Sequence, residues 1–242
     1  MLRTKIVILL LLATSALRAQ PAADGSDALH RWQAGVAVSA EAIARVGMDS
    51  CFRAEPVGDA VFARMLGKSY PKDCPVARCD LRYVRVLHYD WQGRVLTGEL
   101  VCHRQIADDV VQVFRQLYRQ KYPIGSVRLI DDFDADDERS MRANNTSCFC
   151  YRSVNGSQKL SKHARGLAID INTLYNPYVR NRNGRLLISP DGAKPYVDRS
   201  KDFKYKIVEG DLCHRLFLEH GFRWGGSWST MKDYQHFEKP NK

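Results

Sequence analysis

The sequence predicts an α+β fold with a mainly antiparallel sheet and flanking helices. Residues 28–46 and 59–67 have helix-forming composition, and both segments precede the first clear strand. Strands are then interleaved with helices, and several strands are joined by hairpins. This order of elements is typical of an α+β domain.

The clearest strand signal is a hairpin. Residues 81–89 show a two-residue alternation, residues 90–93 have turn composition, and residues 95–102 return as a second strand. An amphipathic helix follows over residues 104–121, with its apolar residues on one stripe. Pro123 comes directly after it, as expected where a helix ends.

The C-terminal half carries shorter elements. We predict core strands where apolar residues cluster, a surface loop where the chain is polar, and a helix that ends before Gly221. In order, these predictions are strands over residues 147–152 and 167–172, a polar surface loop over residues 176–195, a helix over residues 209–220 and a last strand over residues 234–238.

The first residues resemble a secretory signal peptide. A basic start precedes a short apolar run, and the small residue Ala19 follows it. The run is too short to cross a bilayer core of about 30 Å, and no later segment is apolar enough to do so. We therefore expect residues 1–19 to be removed and the mature chain to be secreted or periplasmic, without stable membrane insertion.

The charge of the chain bears on its partners. The formal net charge is +10, and removal of Arg3, Lys5 and Arg18 with the signal peptide lowers it to +7. The basic residues are scattered without a dense run, as on an ordinary solvated surface. Together with export, this favours an anionic polymer of the cell envelope over nucleic acid as the partner. The oligomeric state is not indicated.

The cysteines allow two interpretations. In an oxidising compartment some of the seven should form disulfides, and the odd number leaves at least one without an intramolecular partner. A zinc cluster built from cysteines is not favoured, because no Cys-x-x-Cys occurs. A disulfide-rich exported protein without a metal therefore remains one hypothesis.

Two short patches near the C-terminal end point to a metal site. The patch over residues 161–170 contains His163 and Asp170, and the patch over residues 233–238 contains His236. Together they offer two imidazole nitrogens and one carboxylate oxygen. This set suits one zinc ion of the catalytic kind, which has three protein ligands and one open position.

Spacing requires a bend inside the first patch. His163 and Asp170 are seven residues apart, and an odd separation places two side chains on opposite faces of an unbroken strand. Gly166 can adopt the conformation that a bend requires. We therefore predict His163 in a loop that enters a strand, and Asp170 on that strand.

Asp233 completes a hydrolytic arrangement. It is three residues from His236, so a bend near Tyr234 would leave it on the preceding loop, beside the metal but not bound to it. There it can act as the general base, while zinc lowers the pKa of water from 15.7 towards about 7. Arg152 is the candidate cation for the charge that develops on a peptide carbonyl. These residues predict a peptide-cleaving hydrolase.

The pattern Ser-x-His-x-x-Gly-x-Ala-x-Asp, followed by a distant Asp-x-x-His, resembles the VanY-like zinc D,D-carboxypeptidases and L-alanyl-D-glutamate endopeptidases. The likeness covers roughly residues 125–240. Those enzymes cleave the stem peptides of bacterial peptidoglycan. The resemblance implies the hedgehog/D,D-peptidase-like zinc peptidase fold. We expect an N-terminal helical extension over residues 20–75, followed by the zinc peptidase domain over residues 76–242.

The resemblance also implies roles for single residues. Asp233 would carry catalysis, and Arg152 matches the family's arginine near the substrate carbonyl or carboxylate, with Arg142 as the alternative. Ser161 matches the family's serine near the substrate, and Trp228 could wall the cleft. The implied zinc ligands are His163, Asp170 and His236.

The leading prediction is a secreted zinc peptidase that hydrolyses peptide bonds in peptidoglycan stem peptides, as a carboxypeptidase or an endopeptidase. The alternative is a non-catalytic, zinc-stabilised binding module like the hedgehog signalling domains, which have a similar fold. Asp233 favours the enzyme, because a module that only binds a partner needs no general base. The sequence does not determine which bond is cleaved.

Overall fold

A computed structural model describes residues 24–153 and 159–240, so the predicted signal peptide lies outside the described residues. The predicted α+β fold with antiparallel sheets is confirmed. Within the described ranges no helix has the length and apolar character needed to cross a membrane.

The helices are α1 (Ser26–Arg31), α2 (Ala40–Val46), α3 (Met48–Cys51), α4 (Asp59–Met65), α5 (Ala107–Arg119), α6 (Asp137–Arg142) and α7 (Leu212–Glu219). The strands are β1 (Arg53–Pro56), β2 (Leu81–Tyr89), β3 (Val95–His103), β4 (Ser126–Val127), β5 (Asn145–Thr146), β6 (Ala168–Asp170), β7 (Tyr178–Arg182), β8 (Arg185–Ser189), β9 (Arg223–Trp224), β10 (Lys232–Asp233) and β11 (His236–Glu238).

A sheet covered by a helix forms the N-terminal part of the described chain. β1, β2 and β3 pair in this order, all antiparallel. α5 packs on β2 and buries its apolar stripe, including Val110, Phe114 and Leu117. The hairpin and the amphipathic helix predicted from the sequence are thus confirmed. The division between residues 75 and 76 stays a prediction, although β1 and β2 pair across it.

Two small antiparallel sheets form the C-terminal part. One has the strand order β6-β11-β9 and the other β10-β7-β8. β10 and β11 lie in different sheets, although only Tyr234 and Gln235 separate them. The bend predicted near Tyr234 is therefore confirmed, with the difference that Asp233 ends a short strand and does not lie in a loop. This turn joins the two sheets.

The surface loop predicted over residues 176–195 is wrong in part, because it contains a hairpin. β7 and β8 pair from Tyr178–Ser189 to Arg182–Arg185. The two residues between the strands, Asn183 and Gly184, have φ angles of 52° and 78°. Positive φ at both positions is the geometry of the two-residue turn that Asn-Gly favours. β7 also pairs with β10, so this hairpin is part of the sheet that carries Asp233.

The core strand predicted over residues 147–152 is not present as a regular strand. Ser147 forms an isolated bridge to Asp170, and the Phe149 amide donates to the Val101 carbonyl at 3.0 Å. Because its successive backbone groups bond to different segments, no continuous ladder forms. The segment instead connects β6 to the N-terminal sheet.

All seven cysteines carry free thiols, so the expected disulfides are not confirmed. Cys51, Cys102 and Cys213 are fully buried and belong to the hydrophobic core. At such positions a cysteine packs as a small apolar side chain.

Gly166 is the residue at which the chain turns into β6. It has a φ of 65° and ends the short 3-10 turn His163–Arg165. A Cβ atom at this position would lie 2.6 Å from the amide nitrogen of His103, which donates to the Gly166 carbonyl at 2.9 Å. The bend predicted at Gly166 is confirmed, and the close approach to β3 is a second reason for glycine here.

We predict that Gly166→Ala destabilises the fold by roughly 3 kcal/mol, the sum of a left-handed backbone and a steric clash. Gly184→Ala is the matched control, because Gly184 has a φ of 78° but a Cβ atom added there would meet no other atom within 4 Å. The control should lose only about 1 kcal/mol. Urea denaturation measures both values. Equal losses for the two variants would show that the contact with His103 is unimportant.

Candidate metal centre

Strand register places two of the predicted ligands side by side. His236 on β11 lies directly opposite Asp170 on β6, and Phe237 lies opposite Ile169. Directly opposed residues project to the same face of a sheet. Phe237 and Ile169 are fully buried in the core. Burial of one face therefore fixes the register that keeps His236 and Asp170 together on the other.

His163 joins this pair from the turn before Gly166. Its Nε2 atom lies 3.2 Å from Asp170 Oδ2 and 3.2 Å from His236 Nδ1. His236 Nδ1 lies 2.9 Å from Asp170 Oδ1. Two ligands at roughly 2.0–2.1 Å from a tetrahedral zinc ion are about 3.3 Å apart, so the spacing of these donor atoms fits zinc. Among the described residues, these three form the group that could hold a metal ion.

The other ring nitrogen of each histidine determines which nitrogen would face a bound metal ion. His163 Nδ1 lies 2.7 Å from the Cys148 carbonyl oxygen, and His236 Nε2 lies 3.2 Å from Glu238 Oε2. Each of these nitrogens can donate its proton to that oxygen, which leaves the opposite nitrogen as a free ligand. Such hydrogen bonds orient metal-binding histidines and make them more basic.

The charges at the centre favour a bound cation. Burial raises the pKa of Asp170, but the neighbouring imidazoles of His163 and His236 outweigh it and lower that pKa. Burial lowers the pKa of His236, whereas its hydrogen bonds to Asp170 and Glu238 raise it to about 10. Asp170 is therefore ionised at neutral pH, and His236 keeps its proton at a buried position. A metal ion replaces this proton when it binds.

Asp233 lies beside the three ligands. A Cβ atom on Gly225 would be 2.7 Å from the Asp233 carbonyl oxygen and 3.3 Å from His236 Cβ, so the tight turn brings Asp233 and His236 against the same glycine. Asp233 Oδ1 is buried and has no hydrogen-bond partner among the described residues. Burial raises the pKa of Asp233, the charge of His236 lowers it, and the negative charge of Asp170 raises it further. The result is a pKa of about 6. These are properties of a general base that acts near neutral pH.

Arg152 lies in the same cavity, held by a carboxylate. Its Nη2 atom lies 2.7 Å from Asp137 Oδ2 on α6. Arg152 Nε is buried without a hydrogen-bond partner among the described residues. Asp137 thus positions the guanidinium at the wall of the cavity.

One cavity of about 660 Å³ brings most of the predicted residues together. Ser161 lines it and accepts a hydrogen bond from the His163 amide at 3.2 Å. Trp228 packs against His236 with its ring tilted by 55° and with 5.4 Å between the ring centroids. Arg142 does not line the cavity; its guanidinium pairs with Glu138 and Asp191. The predicted residues on the wall are Arg152, Ser161, His163, Asp170, Trp228, Asp233 and His236.

Sequence reasoning missed two residues of this centre, Glu238 and Asp137. Glu238 follows His236 by two positions, and this spacing places both side chains on one face of a strand. That signal was present in the sequence. Asp137 is fifteen positions from Arg152, and only the tertiary fold brings the two together.

We predict that Glu238→Ala weakens zinc binding about 10- to 100-fold, the usual effect of removing a residue that orients a metal-binding histidine. Glu238→Gln keeps an acceptor but loses the charge, and should have a smaller effect. Glu219→Ala, at an exposed position on α7, is the control. Competition with a chromogenic chelator measures the affinities. Unchanged affinity in Glu238→Ala would contradict the orienting role.

Comparison with known proteins finds one family model that matches the segment carrying the candidate ligands. Residues 155–239 match the family model described as D-alanyl-D-alanine carboxypeptidase. No curated protein and no solved structure matches the chain significantly. The matched segment contains the three candidate ligands and Asp233, whereas Arg152 precedes it. The resemblance drawn from the sequence is therefore confirmed: over residues 155–239 the chain has the pattern of the D-alanyl-D-alanine carboxypeptidase family.

Proposed function

We propose that this chain is a secreted zinc metallopeptidase that hydrolyses peptide bonds in peptidoglycan stem peptides, as a D,D-carboxypeptidase or an L-alanyl-D-glutamate endopeptidase. The family match supports a peptidase. The observation that carries the proposal is the unpartnered Oδ1 atom of Asp233, which lies in one cavity with His163, Asp170 and His236. Export rests on the signal-peptide pattern of residues 1–19.

His163, Asp170 and His236 would hold the zinc ion. When bound, zinc supplies Lewis acidity, which makes a water molecule acidic near neutral pH and polarises a carbonyl oxygen. With three protein ligands, such an ion would keep one coordination position for water or substrate.

Asp233 handles the protons in the proposed reaction. In its ionised form it accepts a proton from the attacking water, and it then returns this proton to the leaving amine. Its buried Oδ1 atom is suited to this because it has no hydrogen-bond partner among the described residues. The raised pKa keeps the carboxyl able to both accept and release a proton near pH 6 to 7.

Arg152 and Trp228 position the substrate. The guanidinium of Arg152 can donate to the peptide carbonyl oxygen, where negative charge develops, and Asp137 holds it in place. Trp228 offers an apolar wall next to His236, which helps to exclude water from the bond that is cleaved.

The proposal predicts that the zinc-loaded chain digests purified peptidoglycan. Mass spectrometry of the products should show either loss of a C-terminal D-alanine or new termini between L-alanine and D-glutamate. Asp233→Ala should bind zinc and leave the peptidoglycan intact. If the wild-type chain holds zinc but releases no product, the non-catalytic binding module becomes the better account.

We also predict a pH profile controlled by Asp233. The base must be ionised to accept a proton, so kcat/KM should fall about tenfold per pH unit below a pKa of about 6. Asp233→Asn should lower the rate about 10²- to 10⁴-fold and remove this limb of the profile. Measurements from pH 4.5 to 8 on one peptide substrate test it. A wild-type rate at pH 5 equal to that at pH 7 would exclude Asp233 as the base.

A further inference from the structure

The β7–β8 hairpin adds a basic surface to the cavity. Residues 178–189 contain Arg180, Arg182 and Arg185 but no aspartate or glutamate. Alternate residues of a strand share one face, and Arg180 and Arg182 both line the cavity together with Tyr178. Arg185 lies opposite Arg182 but is not part of the cavity wall.

Arg180 and Arg182 differ from Arg152 in their partners. Within residues 24–153 and 159–240, neither of the two makes an ion pair or a hydrogen bond through its side chain, and both are exposed. Arg152, by contrast, is held by Asp137. The two hairpin guanidinium groups therefore keep all their donors for a ligand in the cavity.

The hairpin lies at a defined distance from the proposed catalytic base. Tyr178 is the β7 residue opposite Asp233 in the β10–β7 pair. Arg180 and Arg182 follow two and four positions later, which corresponds to about 7 Å and about 13 Å along the strand. An extended peptide has nearly the same rise per residue. A substrate running along β7 would thus bring its second to fourth residue from the cleaved bond to these arginines.

We propose that Arg180 and Arg182 form a subsite for a carboxylate of the peptide substrate, two to four residues from the bond that is cleaved. This inference rests on the proposed function, since it requires a peptide in the cavity. Arginine binds carboxylates through two parallel hydrogen bonds, which gives both strength and orientation. Leu187, opposite Arg180 and 38% exposed, offers an apolar contact for the aliphatic part of the same residue.

The carboxylate can come from an acidic side group or from the free C-terminus of the peptide, and binding measurements distinguish the two. The zinc-loaded Asp233→Asn variant should cleave the probes about 10²- to 10⁴-fold more slowly than the wild type, so Kd can be measured by calorimetry before much of a probe is consumed. The probes are a stem pentapeptide, its C-terminal amide and the derivative with an amide at the free carboxylate of D-glutamate. The amide that removes the recognised carboxylate should bind about tenfold more weakly than the pentapeptide.

The subsite is tested by adding Arg180→Gln and Arg182→Gln to this protein. The double substitution should weaken pentapeptide binding about tenfold. Binding of the amide that lacks the recognised carboxylate should change less than twofold. Arg185→Gln is the matched control and should leave every Kd unchanged. Equal weakening for all three probes, or an equal effect of Arg185→Gln, would overturn the subsite.

Failure of the subsite and failure of the proposed function give different results. If the wild-type chain cleaves stem peptides but the double substitution binds every probe as its parent does, only the subsite is wrong. If the wild-type chain cleaves no stem peptide and the Asp233→Asn variant binds none, the proposed function is wrong, and the subsite proposal is then wrong as well.

Discussion

The antiparallel pairing of β6 with β11 is the constraint on which the candidate centre depends. One face of this pair buries Ile169 and Phe237, and the ring of Phe237 stacks on that of Phe217 with 4.3 Å between centroids. A slip of one residue would expose these side chains and turn Asp170 and His236 into the core. Hydrophobic burial, which is non-directional, thus sets the position of the chemically specific side chains Asp170 and His236.

Two tight turns bring the remaining residues, His163 and Asp233, next to the pair of Asp170 and His236. Gly166 lets the chain run against β3, so that His163 meets Asp170 although an unbroken strand would separate them. Gly225 lets Asp233 and His236 come close together at the junction of the two small sheets. Asp233, the proposed base, consequently belongs to the sheet that also carries the β7–β8 hairpin, whereas Asp170 and His236, two of the proposed ligands, belong to the other. In the proposed mechanism, this division separates metal binding from contacts to a substrate.

The parts of the site that depend on local spacing could be predicted from the sequence. The odd separation of His163 from Asp170, and the short one of Asp233 from His236, each required a bend that the structure has. The hairpin over β7 and β8 also had a local signal in Asn183-Gly184, which its polar composition concealed.

Other parts depend on the tertiary fold, and no local pattern predicts them. The Asp137 partner of Arg152 comes from a helix that is distant in sequence. Residues 147–152 have the composition of a strand, but their backbone groups bond to several segments. Cys51, Cys102 and Cys213 pack in the core as apolar side chains, although the number of cysteines and the expected export favoured disulfides.

In the proposed centre, three side chains bind one zinc ion while Asp233 stays unbound beside it. Zinc content per folded chain, measured by inductively coupled plasma mass spectrometry after dialysis, tests this most directly. The wild-type chain and Asp233→Asn should each retain one zinc ion, whereas His236→Ala should retain far less. Loss of zinc from Asp233→Asn, or full retention by His236→Ala, would contradict the account.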